Sequence, residues 1–120
     1  MPYNLTLGRA GEDRAAEHLI AEGYDVVDRN WRCSEGELDI VAVRGGELAV
    51  VEVKTRTSRR YGHPFEALDD RKTIRLWKLA YMWARAHPSA SRGKRLRVDA
   101  IAVTGADPSH GEVEHLRGIA

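Results

Sequence analysis

The stretch that decides the fold is GELDIVAVRGGELAVVEVKT (Gly36–Thr55), in which two apolar runs flank a Gly-Gly pair. A Gly-Gly pair between such runs is typical of a two-residue β-hairpin turn. We therefore predict antiparallel strands at Glu37–Arg44 and Glu47–Lys54, joined by Gly45 and Gly46.

This hairpin carries charged side chains where a buried strand pair would have apolar ones. A two-residue turn sets a register in which Asp39 lies opposite Glu52. The same register places Glu37 opposite Lys54. Because side chains alternate along a strand, we expect all four to share one patch, unless a bulge or a loop of odd length shifts the register.

The opposition of Asp39 and Glu52 is the unusual feature of this patch. The pair formed by Glu37 and Lys54 can be an ordinary cross-strand ion pair, but directly opposed carboxylates destabilise a sheet unless a shared proton or a cation separates them. Mg²⁺ suits such oxygen ligands, and the carbonyl of Val53 would add another. A metal held there would activate water and polarise a phosphate, and Lys54 would stabilise the developing charge or hold the attacking water. The hairpin therefore predicts a metal-dependent hydrolase site.

Outside the hairpin, the sequence predicts two long helices and three further strands. The helices span about Thr6–Glu22 and Asp69–His87, and the strands span Tyr24–Arg32, residues 94–105 and, least distinctly, residues 112–119. The order α-β-β-β-α-β-(β), with a helix between the third and fourth strands, favours a parallel crossover. We expect an α/β fold with a mixed sheet of about five strands flanked by helices.

Helical periodicity assigns a buried face to each long helix. In the first helix, Glu12 belongs to the apolar stripe of Ala15, Ala16 and Leu19, which is unexpected for an acid. In the second helix, Trp83 falls outside the apolar stripe and is predicted to be exposed. The predicted buried stripe contains Ile74, Trp77, Ala80, Tyr81 and Ala84.

Length and composition limit the class of protein. The 120 residues suit one domain spanning 1–120, and 42% hydrophobic with 31% charged residues is ordinary for a globular chain. No apolar run approaches the roughly 20 residues of a membrane span, so no membrane association is expected. The single cysteine, Cys33, excludes an internal disulfide and fits a cytoplasmic protein. No Cys and His residues have zinc-ligand spacing.

Charge is distributed unevenly along the chain. Residues 54–97 contain 13 Lys and Arg but 3 Asp and Glu, a net charge of +10, whereas the remainder carries −9. This asymmetry favours a nucleic-acid contact, with a merely solvated helix face as the alternative.

The same residues carry a family resemblance. GELDIV followed by VVEVKTR resembles the PD-(D/E)xK signature of restriction-endonuclease-like enzymes, with Asp39, Glu52 and Lys54 at the D…E-x-K positions and Leu38 in place of the proline. The chain is still more similar to the small bacterial YraN-like family, through GRAGEDRAAEHL, GYDVVDRNWR, GELDIVAV, VVEVKTR, YGHPFEAL, RKTIRLWKLA and RVDAI. That family is similar in arrangement to archaeal Holliday-junction resolvases.

The resemblance implies a restriction-endonuclease-like fold and a Mg²⁺- or Mn²⁺-dependent endonuclease acting on DNA, with branched DNA as a candidate substrate. It implies that Asp39, Glu52 and Lys54 are catalytic, and that Glu12 joins them as a catalytic or metal-binding acid. The alternative for Glu12 is a buried acid satisfied by the backbone or by an arginine. A homodimer would suit the two strands of a junction.

Further residues are candidates for supporting roles. Arg56, Arg59, Arg60 and Tyr61 form a basic loop directly after the active strand, where they would bind the phosphate backbone, or would be a flexible solvated loop. Lys72 is a candidate substrate contact through its position in the family. Behind the metal ligands, three residues are candidates for positioning them: Glu37, Arg97 and Asp99. Arg97 and Asp99 would otherwise form an edge salt bridge.

Two competing functions remain open. One is a non-catalytic nucleic-acid-binding module that uses the basic segment 54–97. The other is a structural domain that binds a partner and retains a vestigial site.

Overall fold

The structure is a computed structural model that describes residues 5–58, 60 and 62–119. Three helices and five strands form in the order α1 (Leu5–Ala21), β1 (Asp25–Cys33), β2 (Gly36–Arg44), β3 (Glu47–Arg56), α2 (Asp70–Ala86), α3 (Pro88–Ser91), β4 (Arg95–Thr104) and β5 (Glu112–Leu116). Short 3-10 turns lie at Pro64–Ala67 and Pro108–His110. No helix in the described part of the chain is long and apolar enough to cross a membrane.

The five strands form one sheet in the order β1-β2-β3-β4-β5. The β3–β4 pair is parallel and the other three pairs are antiparallel. Because α2 lies between β3 and β4 in the chain, it supplies the crossover that a parallel pair requires. The predicted mixed sheet flanked by helices is confirmed, including the fifth strand.

The hairpin register is the one predicted from the Gly-Gly turn. The β2–β3 pairs run from Arg44 opposite Glu47 to Ile40 opposite Val51. The strand β3 continues to Arg56, two residues beyond the predicted end, since its whole length pairs with β4. Past Ile40 the strands β2 and β3 separate, and the candidate site lies in that opening.

Each face of the sheet has its own apolar cluster. The cluster under α1 contains Ala15, Ala16, Leu19, Tyr24, Ile40, Ala42, Ala49, Val51, Ile101 and Val103. The cluster under α2 contains Leu38, Val41, Leu48, Val50, Leu76, Leu79, Ala80, Trp83 and Val98. Since β3 contributes alternate residues to both clusters, it is buried on both faces, and its charged end is held in a fixed place.

The buried face of α2 differs from the prediction. Trp83, predicted to be exposed, is 1% exposed, whereas Ile74 and Tyr81, predicted to be buried, are 68% and 57% exposed. The reason is that α2 packs through Leu76, Leu79, Ala80 and Trp83. The indole Nε1 of Trp83 donates to Asp28 on β1 at 2.8 Å, which satisfies its polar atom inside the core.

The first strand also departs from its predicted course. It continues to Cys33, where a polar turn was expected, because its end pairs with the start of β2. Asn30 within it has a φ of +53°. Asparagine tolerates this left-handed conformation better than most residues. Leu38 and Ile40, two apart on the partner strand, consequently pack in different clusters, so strand alternation breaks at Asp39.

Helix α1 lies very close to the end of β3. A Cβ atom built on Gly11 would stand 2.0 Å from the hydroxyl oxygen of Thr55 and 2.9 Å from its Cβ. Only glycine permits this approach, and the next residue along the helix is Glu12. The glycine therefore sets how deeply Glu12 reaches over the sheet.

We expect Gly11→Ala to destabilise the fold by about 1–3 kcal/mol, because the methyl group overpacks the contact with Thr55. This loss outweighs the roughly 1 kcal/mol that alanine adds to helix stability. Thermal and urea unfolding measure the effect. A Gly46→Ala control places its methyl group where nothing lies within 4 Å. Equal stability of Gly11→Ala and wild type would contradict the close approach, whereas partial recovery in Gly11→Ala/Thr55→Ala would identify Thr55 as the obstacle.

Candidate active site

A cleft of about 410 Å³ opens between α1 and the separated ends of β2 and β3. The cleft is lined by three acidic residues, Glu12, Glu37 and Asp39, and by two basic residues, Arg9 and Arg32. Its remaining lining residues are Gly8, Asn30, Val53 and Thr55. The cleft thus combines carboxylates with cationic side chains at one end of the sheet.

Asp39 lies at the point where the β2–β3 ladder ends. One carboxylate oxygen, Oδ2, accepts a hydrogen bond from the backbone N–H of Val53 at 2.8 Å. Burial and then the neighbouring Glu52 carboxylate raise the pKa of Asp39 to about 8, so that Asp39 carries a proton at neutral pH. The two acids are therefore neighbours, although the paired register ends at Ile40 and Val51, one residue short of their predicted opposition.

Lys54 contacts Glu52 and not Glu37. Its Nζ lies 3.0 Å from Oε2 of Glu52, and both side chains are largely buried. Glu37 instead forms an exposed pair with Arg32, at 2.6 Å. The cross-strand pair predicted for Glu37 and Lys54 is wrong, because the strands separate past Ile40 and Glu37 turns toward β1.

The prediction of one shared patch is also wrong in part. Glu37 and Asp39 line the cleft, whereas Glu52 and Lys54 do not. The two β3 residues alternate with Val53 and Thr55, which face α1, and therefore project from the other side of that strand. Asp39 joins the two sides, since it interacts with Val53, Glu52 and Glu12.

Glu12 reaches the cleft from α1 and is held by β1. Its Oε1 accepts from Nε of Arg29 at 3.2 Å, and its side chain is 12% exposed. Burial raises the pKa of Glu12 above its ordinary value, although hydrogen bonds from Arg29 and Asn30 oppose the shift. The predicted inward orientation of Glu12 is confirmed, and Glu12 has the arginine partner expected of a buried structural acid, whereas its catalytic or metal-binding role stays a prediction. The charge of Glu12 also contributes to raising the pKa of Asp39.

The donor set fits a cation that takes few ligands from protein. Within the residues that the structure describes, no three His, Cys, Asp or Glu side chains converge closely enough to hold a metal ion. Asp39 and Glu52 nevertheless supply two adjacent carboxyls, and Mg²⁺ commonly takes one or two carboxylates and completes its shell with water and phosphate. A cation would also favour the ionised form of Asp39, whose pKa is raised by burial and then by the charge of Glu52.

Arg97 and Asp99 form a buried network away from this pair. Asp99, fully buried, accepts from Arg97 Nε at 2.8 Å, from His115 Nε2 at 2.8 Å and from the N–H of Gly118 at 3.0 Å. Arg97 also donates to Glu47 at 2.6 Å. Arg97 and Asp99 do pair, but neither at a sheet edge nor against Asp39. The network holds the C-terminal segment on β4.

The predicted nucleic-acid contacts are only partly within the described residues. Arg56 is exposed at the end of β3 and Arg60 is exposed in the loop that follows, while Lys72 is exposed in the first turn of α2. Arg59 and Tyr61 lie outside the described residues. A role for any of these residues in binding remains a prediction.

Several residues of the site were not identified from sequence. Arg29 and Asn30 belong to a segment predicted to end in a polar turn, and Arg9 lies on a helix where nothing distinguishes it. Among these residues, Gly11 could have been identified from the sequence. A glycine inside a helix destabilises the helix, and its presence there indicates a close packing contact.

Comparison with known proteins identifies relatives along nearly the whole chain. The sequence model of the uncharacterised protein family UPF0102 matches residues 11–103, which include Glu12, Asp39, Glu52 and Lys54. A UPF0102 protein of Arthrobacter sp. (strain FB24) is 52% identical over 113 residues, or 94% of each chain. A UPF0102 protein of Renibacterium salmoninarum is 47% identical over 119 residues, or 99% of each chain. The names of these relatives state the family and no activity.

We expect Asp39→Asn to stabilise the metal-free protein, and increasingly so as the pH rises. The pKa of Asp39 is about 8 in the folded chain, far above the ordinary value of 3.8. Its contribution to stability is therefore complete below about pH 4 and is lost as the pH rises towards 8. Asparagine mimics the protonated form, so its advantage should grow by up to about 1.4 kcal/mol per pH unit across this window.

Urea unfolding in EDTA between pH 5 and pH 8 measures this difference. Asp25→Asn, at an exposed aspartate at the start of β1, serves as the control and should show no such trend. A difference between Asp39→Asn and wild type that stays constant with pH would contradict the raised pKa.

Proposed function

The chain belongs to the uncharacterised protein family UPF0102, and we propose that it is a divalent-metal-dependent nuclease that hydrolyses phosphodiester bonds in DNA. The membership confirms the resemblance to YraN-like proteins. The observation that carries the proposal is the adjacency of the Asp39 and Glu52 carboxyls, with the Lys54 ammonium 3.0 Å from Glu52. Two carboxyls and a lysine in this order are the groups that the D…E-x-K signature requires.

Asp39 and Glu52 would hold the cation, Mg²⁺ or Mn²⁺, with the Val53 carbonyl as a further oxygen donor. Bound there, the cation would supply Lewis acidity towards a phosphate oxygen and a more acidic water. The N–H of Val53 fixes the orientation of the Asp39 carboxyl through its 2.8 Å hydrogen bond. Partial burial of the pair would strengthen its interaction with a cation.

Lys54 and Glu12 would act on the reacting groups. In the reaction, a water oxygen bonds to phosphorus, the ester P–O bond breaks, and the departing oxygen takes up a proton. The Lys54 ammonium would stabilise the negative charge that develops on the phosphoryl oxygens. Glu12, oriented by Arg29 and raised in pKa by burial, would accept a proton within the same cleft.

A nucleic acid is the substrate class that the charge distribution favours, and we take it to be DNA on the similarity to restriction-endonuclease-like enzymes. Arg9 and Arg32 line the cleft, Arg56 is exposed at the end of β3, and Arg60 is exposed just after it. Phosphate contacts of this kind position a backbone without reading its sequence. Branched DNA, such as a flap or a four-way junction, is the specific substrate we propose on the similarity to junction resolvases.

Cleavage of linear duplex, flap and four-way DNA in Mg²⁺ or Mn²⁺ tests the proposal. We expect wild type to cut at least one of these, with the products absent in EDTA. Asp39→Asn and Lys54→Met should each lower the rate by about 100-fold or more, because each removes a group that acts on the developing charge.

Lys94→Ala, a lysine outside the cleft, is the matched control and should cut like wild type. Circular dichroism must show that each variant is folded. Intact substrates with wild type at every metal concentration would overturn the proposal. Equal cutting by wild type and Asp39→Asn would overturn the assignment of the site and indicate a contaminating nuclease.

A non-catalytic nucleic-acid-binding module is the second candidate. It is favoured by the charge balance of the candidate site within the described residues. Asp39 is protonated at neutral pH, Lys54 pairs with Glu52, and Arg29 pairs with Glu12. Salt-sensitive binding of DNA without cleavage would support this module.

A further inference from the structure

The outer face of α2 carries exposed apolar and aromatic side chains. Ile74 is 68% exposed and Tyr81 is 57% exposed, although both belong to a helix whose other face is well packed. Trp77, half-buried, places its ring 5.9 Å from that of Tyr81 at an interplanar angle of 34°. A group of exposed apolar and aromatic side chains on a helix surface is typical of a binding site.

Arginines accompany these side chains along the same face. Arg71, Arg75 and Arg85 are exposed, and none of them has an ion-pair partner among the described residues. At 100° per residue they lie on the same side of the helix as Ile74 and Tyr81. We call this set, completed by Trp77 and Lys78, the α2 outer face. It extends for about 21 Å along the helix axis.

The α2 outer face adjoins the candidate active site through the β1–β2 turn. Lys78, at its middle, contacts Glu35 of that turn at 2.7 Å. The neighbouring residues Arg32 and Glu37 line the cleft that contains Asp39. A nucleic-acid strand that leaves the cleft over this turn would therefore reach the α2 outer face.

We propose that the α2 outer face binds single-stranded DNA, with bases stacked on Tyr81 and Trp77 and phosphates held by Arg71, Arg75 and Arg85. Proteins that bind single strands without sequence preference stack the bases on aromatic rings and contact the backbone phosphates with cationic side chains. A length of about 21 Å accommodates about six nucleotides at 3.4 Å each. This inference rests on the proposed function in two respects: the polyanion is DNA, and the strand that binds the α2 outer face is an unpaired arm of the substrate.

Two other occupants are less well matched to this face. A membrane-bound amphipathic helix inserts a broad apolar side, but the broad apolar side of α2 is packed against the sheet. A second copy of the chain would place arginines against arginines if two α2 outer faces met about a two-fold axis. The combination of rings and unpaired arginines instead complements a strand that offers both bases and phosphates.

Fluorescence anisotropy with a labelled 12-nucleotide single strand tests the proposal. The protein carries Asp39→Asn throughout, so that cleavage does not consume the probe. We expect Tyr81→Ala and Arg75→Ala to weaken binding by about tenfold each, whereas Tyr81→Phe, which keeps the ring, should bind within about twofold. Arg75→Ala should also reduce the salt dependence of the affinity.

The matched controls are Ile20→Ala, which removes an exposed apolar side chain from α1, and Arg117→Ala, which removes a charge next to β5. Both should bind like the parent protein. Unchanged affinity in Tyr81→Ala and Arg75→Ala would overturn the proposal. So would a dimer in sedimentation that Tyr81→Ala dissociates, or Tyr81-dependent binding to phosphatidylglycerol vesicles without Tyr81-dependent binding of DNA.

Cleavage of duplex DNA by otherwise wild-type protein separates this inference from the proposed function. Loss of binding in Tyr81→Ala, together with no cleavage by wild type, would support the α2 outer face and reject the nuclease. Cleavage by wild type with Tyr81-independent binding would do the reverse.

Discussion

The carboxyl of Asp39 lies next to that of Glu52 at the place where β2 and β3 separate, and the proposed chemistry depends on this pair. Burial, and then the nearby charge of Glu52, disfavour the ionised form of Asp39 and raise its pKa to about 8. A site that served only the fold would gain stability from an apolar pair at the same positions. The cation that we propose for this site would compensate the cost to the sheet.

The surrounding elements hold this pair in place from both faces of the sheet. The packing of β3 under α1 and α2 fixes Glu52 and Lys54, and the N–H of Val53 fixes Asp39. Gly11 lets α1 come close enough to β3 for Glu12 to enter the cleft. The candidate site thus combines groups from α1, β2 and β3, and none of these elements forms it alone.

The sequence was most informative where the physics is local. The Gly-Gly turn fixes the hairpin register as far as Ile40 opposite Val51, and this register brings Asp39 near Glu52 at the end of the ladder. The direction of Glu37 could not be predicted, because strand alternation breaks between Leu38 and Ile40. Strand alternation assumes a regular ladder, and the ladder ends at the site.

The error in α2 has a different physical origin. The helix carries two apolar stripes at helical spacing, and periodicity alone does not decide which one meets the sheet. The buried stripe includes Trp83, whose indole donates to Asp28, a residue that lies 55 positions away along the chain, and helical periodicity carries no information on such a contact. The stripe left outside carries the aromatic residues and arginines of the α2 outer face.

The most direct test of the central claim is an NMR titration of the Asp39 carboxyl carbon, with and without Mg²⁺. We expect a pKa near 8 in EDTA, and a decrease of at least about two units when Mg²⁺ saturates the protein, since a cation favours the ionised form. A pKa near the ordinary value of 3.8 in EDTA, or one near 8 that Mg²⁺ leaves unchanged, would contradict it.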